Sequence, residues 1–182
     1  LNPLVIGLTL LAFVSFDATD NAAEALKWFF LVTGLCFMPV LLIALYLVRT
    51  GRMDALFSNR RHQRHRIYVI GLFFNVLAIT FLTWLNAPDI LIAALVAGLV
   101  SVVSFAFINL WWKISVHASV ASALVTVLLV LYGWTAAVSL LLIPLMSWAR
   151  VVLAQHTVGQ VAAGSILSAV IVLVTFGQYN II

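Results

Sequence analysis

The chain has 182 residues, of which 65% are hydrophobic and only 8% charged. Soluble domains run at roughly 45–50% apolar and about 25% charged. A soluble enzyme, a nucleic-acid-binding domain and a disordered tail are therefore excluded as readings of the whole chain. The chain is also too apolar for the alternating strands of a membrane barrel, which leaves an all-α, polytopic bundle of transmembrane helices.

A helix needs about 20 apolar residues to cross the hydrocarbon, and the chain has room for six or seven such spans. The first covers residues 4–16 and is short. The second, third and fourth cover 26–48, 67–85 and 90–112. A fifth, 116–132, is separated by Gly133 from a sixth, 134–148. Both are short, and the pair also reads as one tight hairpin. The last covers 157–176. No repeat or low-complexity segment interrupts them, so residues 1–182 read as one membrane-embedded domain. The first residue is Leu1, not Met, which predicts a processed or trimmed chain, and its start lacks the basic region of a cleavable signal. The single cysteine, Cys36, lies inside an apolar run, so neither a disulfide framework nor a zinc ribbon is expected.

The polar residues fall between the spans. Asp17, Asp20, Glu24 and Lys27 surround the first connection, and residues 49–66 form a strongly basic second one. Asp89 lies at the third, Lys113 at the fourth, Gly133 at the fifth, and Arg150 to His156 at the sixth. Two crossings separate the second, fourth and sixth connections, so all three share one membrane face. That face gathers every Arg, Lys113 and all four His; the other holds acids and little else. The net charge of +4 rests mainly on the loop 49–66 and is no sign of a nucleic-acid partner. The positive-inside rule accounts for such a loop without any chemistry. It accounts less well for Lys113, His117, Arg150 and His156, which sit at the edges of apolar helices, where ionisable groups are costly.

Two segments carry the chemistry. In Lys113-Ile-Ser115-Val-His117, Lys113 and His117 are four apart and would share a helix face, with Ser115 near the helix start. In the second, Arg150 precedes His156 by six residues, and Gln160 follows His156 by four. These segments resemble the second and third signatures of the type 2 phosphatidic acid phosphatase superfamily, Pro-Ser-Gly-His and Ser-Arg-x5-His-x3-Asp. Ser115 and His117 match the former, Arg150 and His156 the latter. The superfamily's first signature, Lys-x6-Arg-Pro, has an Arg-rich counterpart at residues 59–66 that lacks its Lys and Pro. The pairing of Lys-x-Ser-x-His with His156-Thr157-x-x-Gln160 is similar to one branch of that superfamily, in which Gln replaces the usual Asp.

The resemblance implies a membrane phosphatase acting on a lipid phosphate monoester or pyrophosphate, with no cofactor and no metal. By resemblance, His156 is the nucleophile that becomes a phospho-histidine, and Gln160 accepts from its other ring nitrogen. His117 is the general acid for the leaving alkoxide. Lys113, Arg150 and a loop arginine (Arg61 or Arg64) clamp the phosphoryl oxygens, with one further hydrogen bond from Ser115. Each residue also has a plainer reading. A histidine at a helix end can be an interfacial residue, Arg150 a snorkelling anchor, and Gln160 a bond between helices. The Trp residues read as interfacial belts, and Gly164 with Ser165 as a close helix contact.

Other chemistries fit less well. There is no His-Glu-x-x-His and no Gly-rich phosphate loop. The basic face has one carboxylate, Asp54, too few for a magnesium cage. A phosphotransferase on the same scaffold and a non-catalytic protein binding anionic lipid remain as rivals. The implied partners are a lipid phosphate and the bilayer. The implied location is a bacterial or archaeal plasma membrane. Positive-inside counting puts the basic face in the cytoplasm, but it counts the phosphate ligands themselves, so orientation stays open, as does oligomeric state.

Overall fold

The computed structural model describes residues 2–56 and 61–182, with Arg61 and His62 described only in their backbone. The described residues form an all-α bundle: α1 (Pro3–Asp17), α2 (Ala22–Val32), α3 (Met38–Arg49), α4 (Arg61–Trp84), α5 (Asp89–Ile108), α6 (Val116–Tyr132), α7 (Leu142–Val152) and α8 (Val158–Gln178). A π-helical turn, Thr33–Phe37, joins α2 to α3 without a break. Pro39 explains it: the residue lacks an N–H and its ring crowds the preceding turn, which the wider π-turn relieves.

Five segments are long and apolar enough to cross a membrane: Ala22–Arg49, Gln63–Trp84, Asp89–Ile108, Val116–Val152 and Val158–Gln178. Helix α1 is apolar but shorter. The segment Val116–Val152 is folded back on itself. Gly133, at φ +56°, ends α6; a 3-10 stretch, Gly133–Leu141, follows; and α7 then packs along α6. The hairpin expected at Gly133 is therefore present, but its second arm begins as 3-10 helix and runs on to Val152. That helix form rises about 2 Å per residue against 1.5 Å for an α-helix, which lengthens a short arm.

Large apolar side chains face outward all round the bundle. Phe73, Phe107, Val138, Val158 and Ile166 are each more than half exposed, as befits a lipid-facing surface and not a water-facing one. Exposed tryptophans collect at both ends: Trp84 and Trp134 at the acidic end, Trp111 and Trp148 at the basic end. That placement is the one expected of interfacial belts. The chain is accordingly an integral membrane protein.

The acidic end is well packed, with Val14, Val32, Leu82, Leu91 and Phe176 fully buried. Toward the basic end α8 lies along α6 so closely that a Cβ on Gly164 would stand 2.6 Å from the Ser119 hydroxyl and 2.8 Å from the Ser115 carbonyl. Only glycine permits that approach. The hydroxyl of Ser122 ties the same two helices by donating to the Ser165 carbonyl at 2.8 Å.

Candidate functional site

The second, fourth and sixth connections meet at one end of the bundle, as the crossing argument requires. A small pocket of about 150 Å³ lies among them, walled by Met53 and Leu56 from the second, Arg64, Ile67 and Tyr68 from α4, Val116 and His117 from α6, and His156 from the sixth. Two histidines distant in sequence thus share one pocket with an arginine.

Local folding explains how each arrives. Ser115 is the N-cap of α6: its backbone is extended and its Oγ accepts from the Ala118 N–H at 3.4 Å. That cap starts the helix at Val116 and puts His117 in the first turn, pointing back toward the cap end. Lys113 consequently lies before the helix, not on its face with His117, which corrects the helical-face expectation. Ser115 is fully buried, and the Ser119 hydroxyl donates to its carbonyl at 2.7 Å. It lies behind the pocket as a cap and is not among the wall residues, unlike the phosphate donor expected from the sequence.

The other histidine is delivered by a strained turn. After α7, Ala154 takes a left-handed conformation at φ +51°, and the N–H groups of Gln155 and His156 both donate to the Arg150 carbonyl, at 3.1 and 3.3 Å. Thr157 then caps α8 in a reciprocal box. The Gln160 N–H donates to Thr157 Oγ1 at 3.3 Å, and the Thr157 N–H donates to Gln160 Oε1 at 3.2 Å. The same Oε1 lies 3.1 Å from His156 Nδ1. Because the Thr157 N–H identifies that atom as the acceptor, Nδ1 carries the proton in this contact. A neutral ring then keeps its lone pair on Nε2. The expected partnership of Gln160 with His156 is present, and Gln160 has a capping role besides.

The two segments are stitched directly together. The Ser115 N–H donates to the Gln160 carbonyl at 3.4 Å, and Lys113 Nζ donates to the Gln155 carbonyl at 2.8 Å. Arg150 Nη1 donates to Gln155 Oε1 at 2.9 Å, while its Nε is buried without a partner. Lys113 and Arg150 thus converge on Gln155 and are not among the residues on the pocket wall. Around the second connection, the Asp54 N–H donates to Gln63 Oε1 at 3.0 Å, and Arg66 reaches the Arg52 carbonyl at 3.5 Å.

The electrostatics follow from burial among cations. His156 is held below its ordinary pKa first by burial and then by the Lys113 ammonium; the Gln160 hydrogen bond opposes this, Arg64 adds to it, and the Lys113 carbonyl opposes it in turn. Lys113 is likewise lowered, by burial and then by Arg64. His156 is thereby biased toward its neutral form under a positive potential, one that favours an anion.

Of the expected residues, then, His117, His156 and Arg64 wall the pocket; Gln160, Lys113, Arg150 and Ser115 build the ground behind it; and the Arg61 side chain lies outside the described residues, as do residues 59 and 60 of the basic segment. Two participants were not anticipated. Tyr68 lines the pocket four residues after Arg64, a helical spacing readable in the sequence. Gln155, the joint between Lys113 and Arg150, acts partly through its backbone and gives no such signal. Comparison with family models, curated proteins and solved structures finds no match.

Proposed function

We propose that the protein is a metal-independent lipid phosphatase that works through a phospho-histidine at the membrane surface. The observation that carries this reading is the pairing of His117 and His156 on one small pocket with Arg64, with His156 Nδ1 committed to Gln160. An anion-binding protein needs cations but has no need of two histidines, one of them held by its second nitrogen.

The reaction assigns each group a role. The Nε2 lone pair of His156 attacks phosphorus, the P–O bond to the lipid breaks, and the departing alkoxide takes the proton of a protonated His117. The lipid alcohol leaves, and the phospho-imidazolium keeps its Nδ1–H on Gln160. A water then gives its proton to His117 as its oxygen attacks phosphorus. The P–N bond breaks, inorganic phosphate departs, and both histidines return to their starting state. Arg64 neutralises the phosphoryl oxygens. The unpartnered Nε of Arg150 and the Lys113 ammonium add positive potential from behind. Trp111, next to this site in sequence, and Trp148 lie in the basic-end belt, which fits a phosphate at headgroup depth.

One observation favours the non-catalytic rival: Lys113 and Arg150 are turned to Gln155. Phosphate release in detergent with excess chelator separates the two. Phosphatidic acid, phosphatidylglycerol phosphate, a polyprenyl pyrophosphate and sphingosine phosphate serve as the panel. Release by wild type but not by His156→Ala supports the phosphatase. No release from any lipid, with or without an added acceptor alcohol, removes both the phosphatase and the phosphotransferase.

A further inference from the structure

A half-open apolar cavity of about 620 Å³ lies among the helices, walled by parts of α1, α2, the π-turn, α3, α4, α5, α6 and α8. It shares Leu56, Ile67, Tyr68 and Val116 with the histidine pocket, so the two spaces adjoin. Leu91, Val127 and Phe176, all essentially buried, stand at its far end. From Phe105 to Leu91 along α5 the wall runs about 21 Å at 1.5 Å per residue. Protein interiors hold few voids larger than a water molecule, because lining atoms without partners forfeit their dispersion contacts. This space is half open, so its apolar wall is one that a hydrocarbon chain from the bilayer can enter and cover. Its wall is apolar apart from a few groups such as Asn75, whose carboxamide oxygen is buried without a partner.

We propose that this cavity holds one hydrocarbon chain of the substrate, so that the site takes lipid phosphates through a single chain of about twenty carbons or fewer. The proposal rests on the phosphatase reading for the identity of the headgroup. The count comes from volume: at roughly 30 Å³ for each methylene-sized unit, the share one water has in the liquid, the cavity holds on the order of twenty carbons. A volume of that order matches one chain. The continuity of the spaces supplies the rest, since a chain lying there places its phosphate against Arg64, His117 and His156. Bilayer and wall are similarly apolar, so the chain gains packing and placement more than hydrophobic transfer.

Two measurements test this on the full-length protein. In the first, hexadecyl phosphate bearing a diazirine at its terminal carbon is photolysed in complex, and labelled residues are mapped by mass spectrometry. Labels at the cavity floor, around Leu91, Val127 and Phe176, competed by plain hexadecyl phosphate, are expected. Labels confined to outward-facing residues such as Phe73 and Phe107 overturn the proposal. In the second, hydrolysis of butyl, decyl, hexadecyl and triacontyl phosphates is compared. The ratio kcat/KM should rise about tenfold or more from butyl to hexadecyl and fall for triacontyl. Ala123→Phe, which fills the cavity midway, should lower the hexadecyl-to-butyl ratio by about tenfold. Hydrolysis indifferent to chain length defeats the chain site and leaves the phosphatase standing. Floor labelling without hydrolysis of any phosphate defeats the phosphatase and leaves the chain site standing.

Discussion

The two ends of the bundle carry similar numbers of connections but are built differently. At the acidic end polar groups satisfy themselves locally. Asn21 caps α2 through the Ala23 N–H, and Lys27 pairs with Glu24 at 3.7 Å within one helical turn. At the basic end they reach across the fold. Lys113 bonds to Gln155 and Ser115 to Gln160, so that the fourth and sixth connections become one structure, and the second, held by its own Asp54–Gln63 bond, meets them at the pocket wall. Topology alone puts basic residues on one face, but it does not tie them to one another over forty residues of sequence. The cross-links distinguish a built site from a sorted surface.

The comparison can be broken most decisively at the histidines. His156→Ala should lose activity by a factor of about 10⁴ or more, as nucleophile removal does elsewhere, and His117→Ala by about 10²–10⁴; phosphate release assays measure both. Near-normal turnover in the first variant would sink the mechanism. Next comes the close contact of α8 with α6. Gly164→Ala forces the Ser115 carbonyl to move and should cost about 1–3 kcal/mol in thermal stability. Turnover should fall with it, because Gln160 and His156 ride on that end of α8.

Gln160 sharpens the account. Gln160→Ala should cost about 10–100-fold in rate through lost ring orientation, and about 1 kcal/mol through the lost half of the capping box. Gln160→Asp preserves both contacts and should keep most of the activity. Full rate in Gln160→Ala would show the hydrogen bond to be structural only. The pH profile supplies a separate check. A nucleophile must be unprotonated, and a pKa held below its ordinary value keeps the imidazole neutral to lower pH. The acid limb of kcat/KM should therefore lie below about 6.5. Lys113→Gln removes one of the causes and should move that limb upward.

The smallest effects are expected at single turns. Ala154→Gly relieves a left-handed alanine and should gain about 1 kcal/mol in stability. Glu24→Ala breaks an exposed pair at the acidic end and should change stability by about 0.5 kcal/mol or less, with activity intact. A large loss of activity from Glu24→Ala would erase the distinction between the two ends.

Most of the architecture was legible because hydropathy and connection parity dictate it. Apolar runs of span length had to be helices, and alternate connections had to share a face. The misreadings lie where charge meets helix. Residues 61–66 read as loop because they are basic, yet α4 begins at Arg61, which brings Arg64 and Tyr68 onto the helix together. Lys113 read as helical from its spacing, yet the Ser115 cap excludes it. The sequence suggested the Gln160 contact through its four-residue offset from His156. It could not suggest Gln155, whose part depends on the backbone turn at Ala154. The adjoining cavity was likewise hidden, because it is a space between seven helices and belongs to no single one.

The central claim is that His156 becomes covalently phosphorylated, and it can be tested directly. Wild-type protein is mixed with a lipid phosphate, quenched in alkali to preserve a phosphoramidate, digested, and sequenced by mass spectrometry. The account predicts a phosphate on His156 that is acid-labile, absent from His156→Ala and longer-lived in His117→Ala. Turnover of the lipid with no phosphorylated His156 under any quench would contradict it.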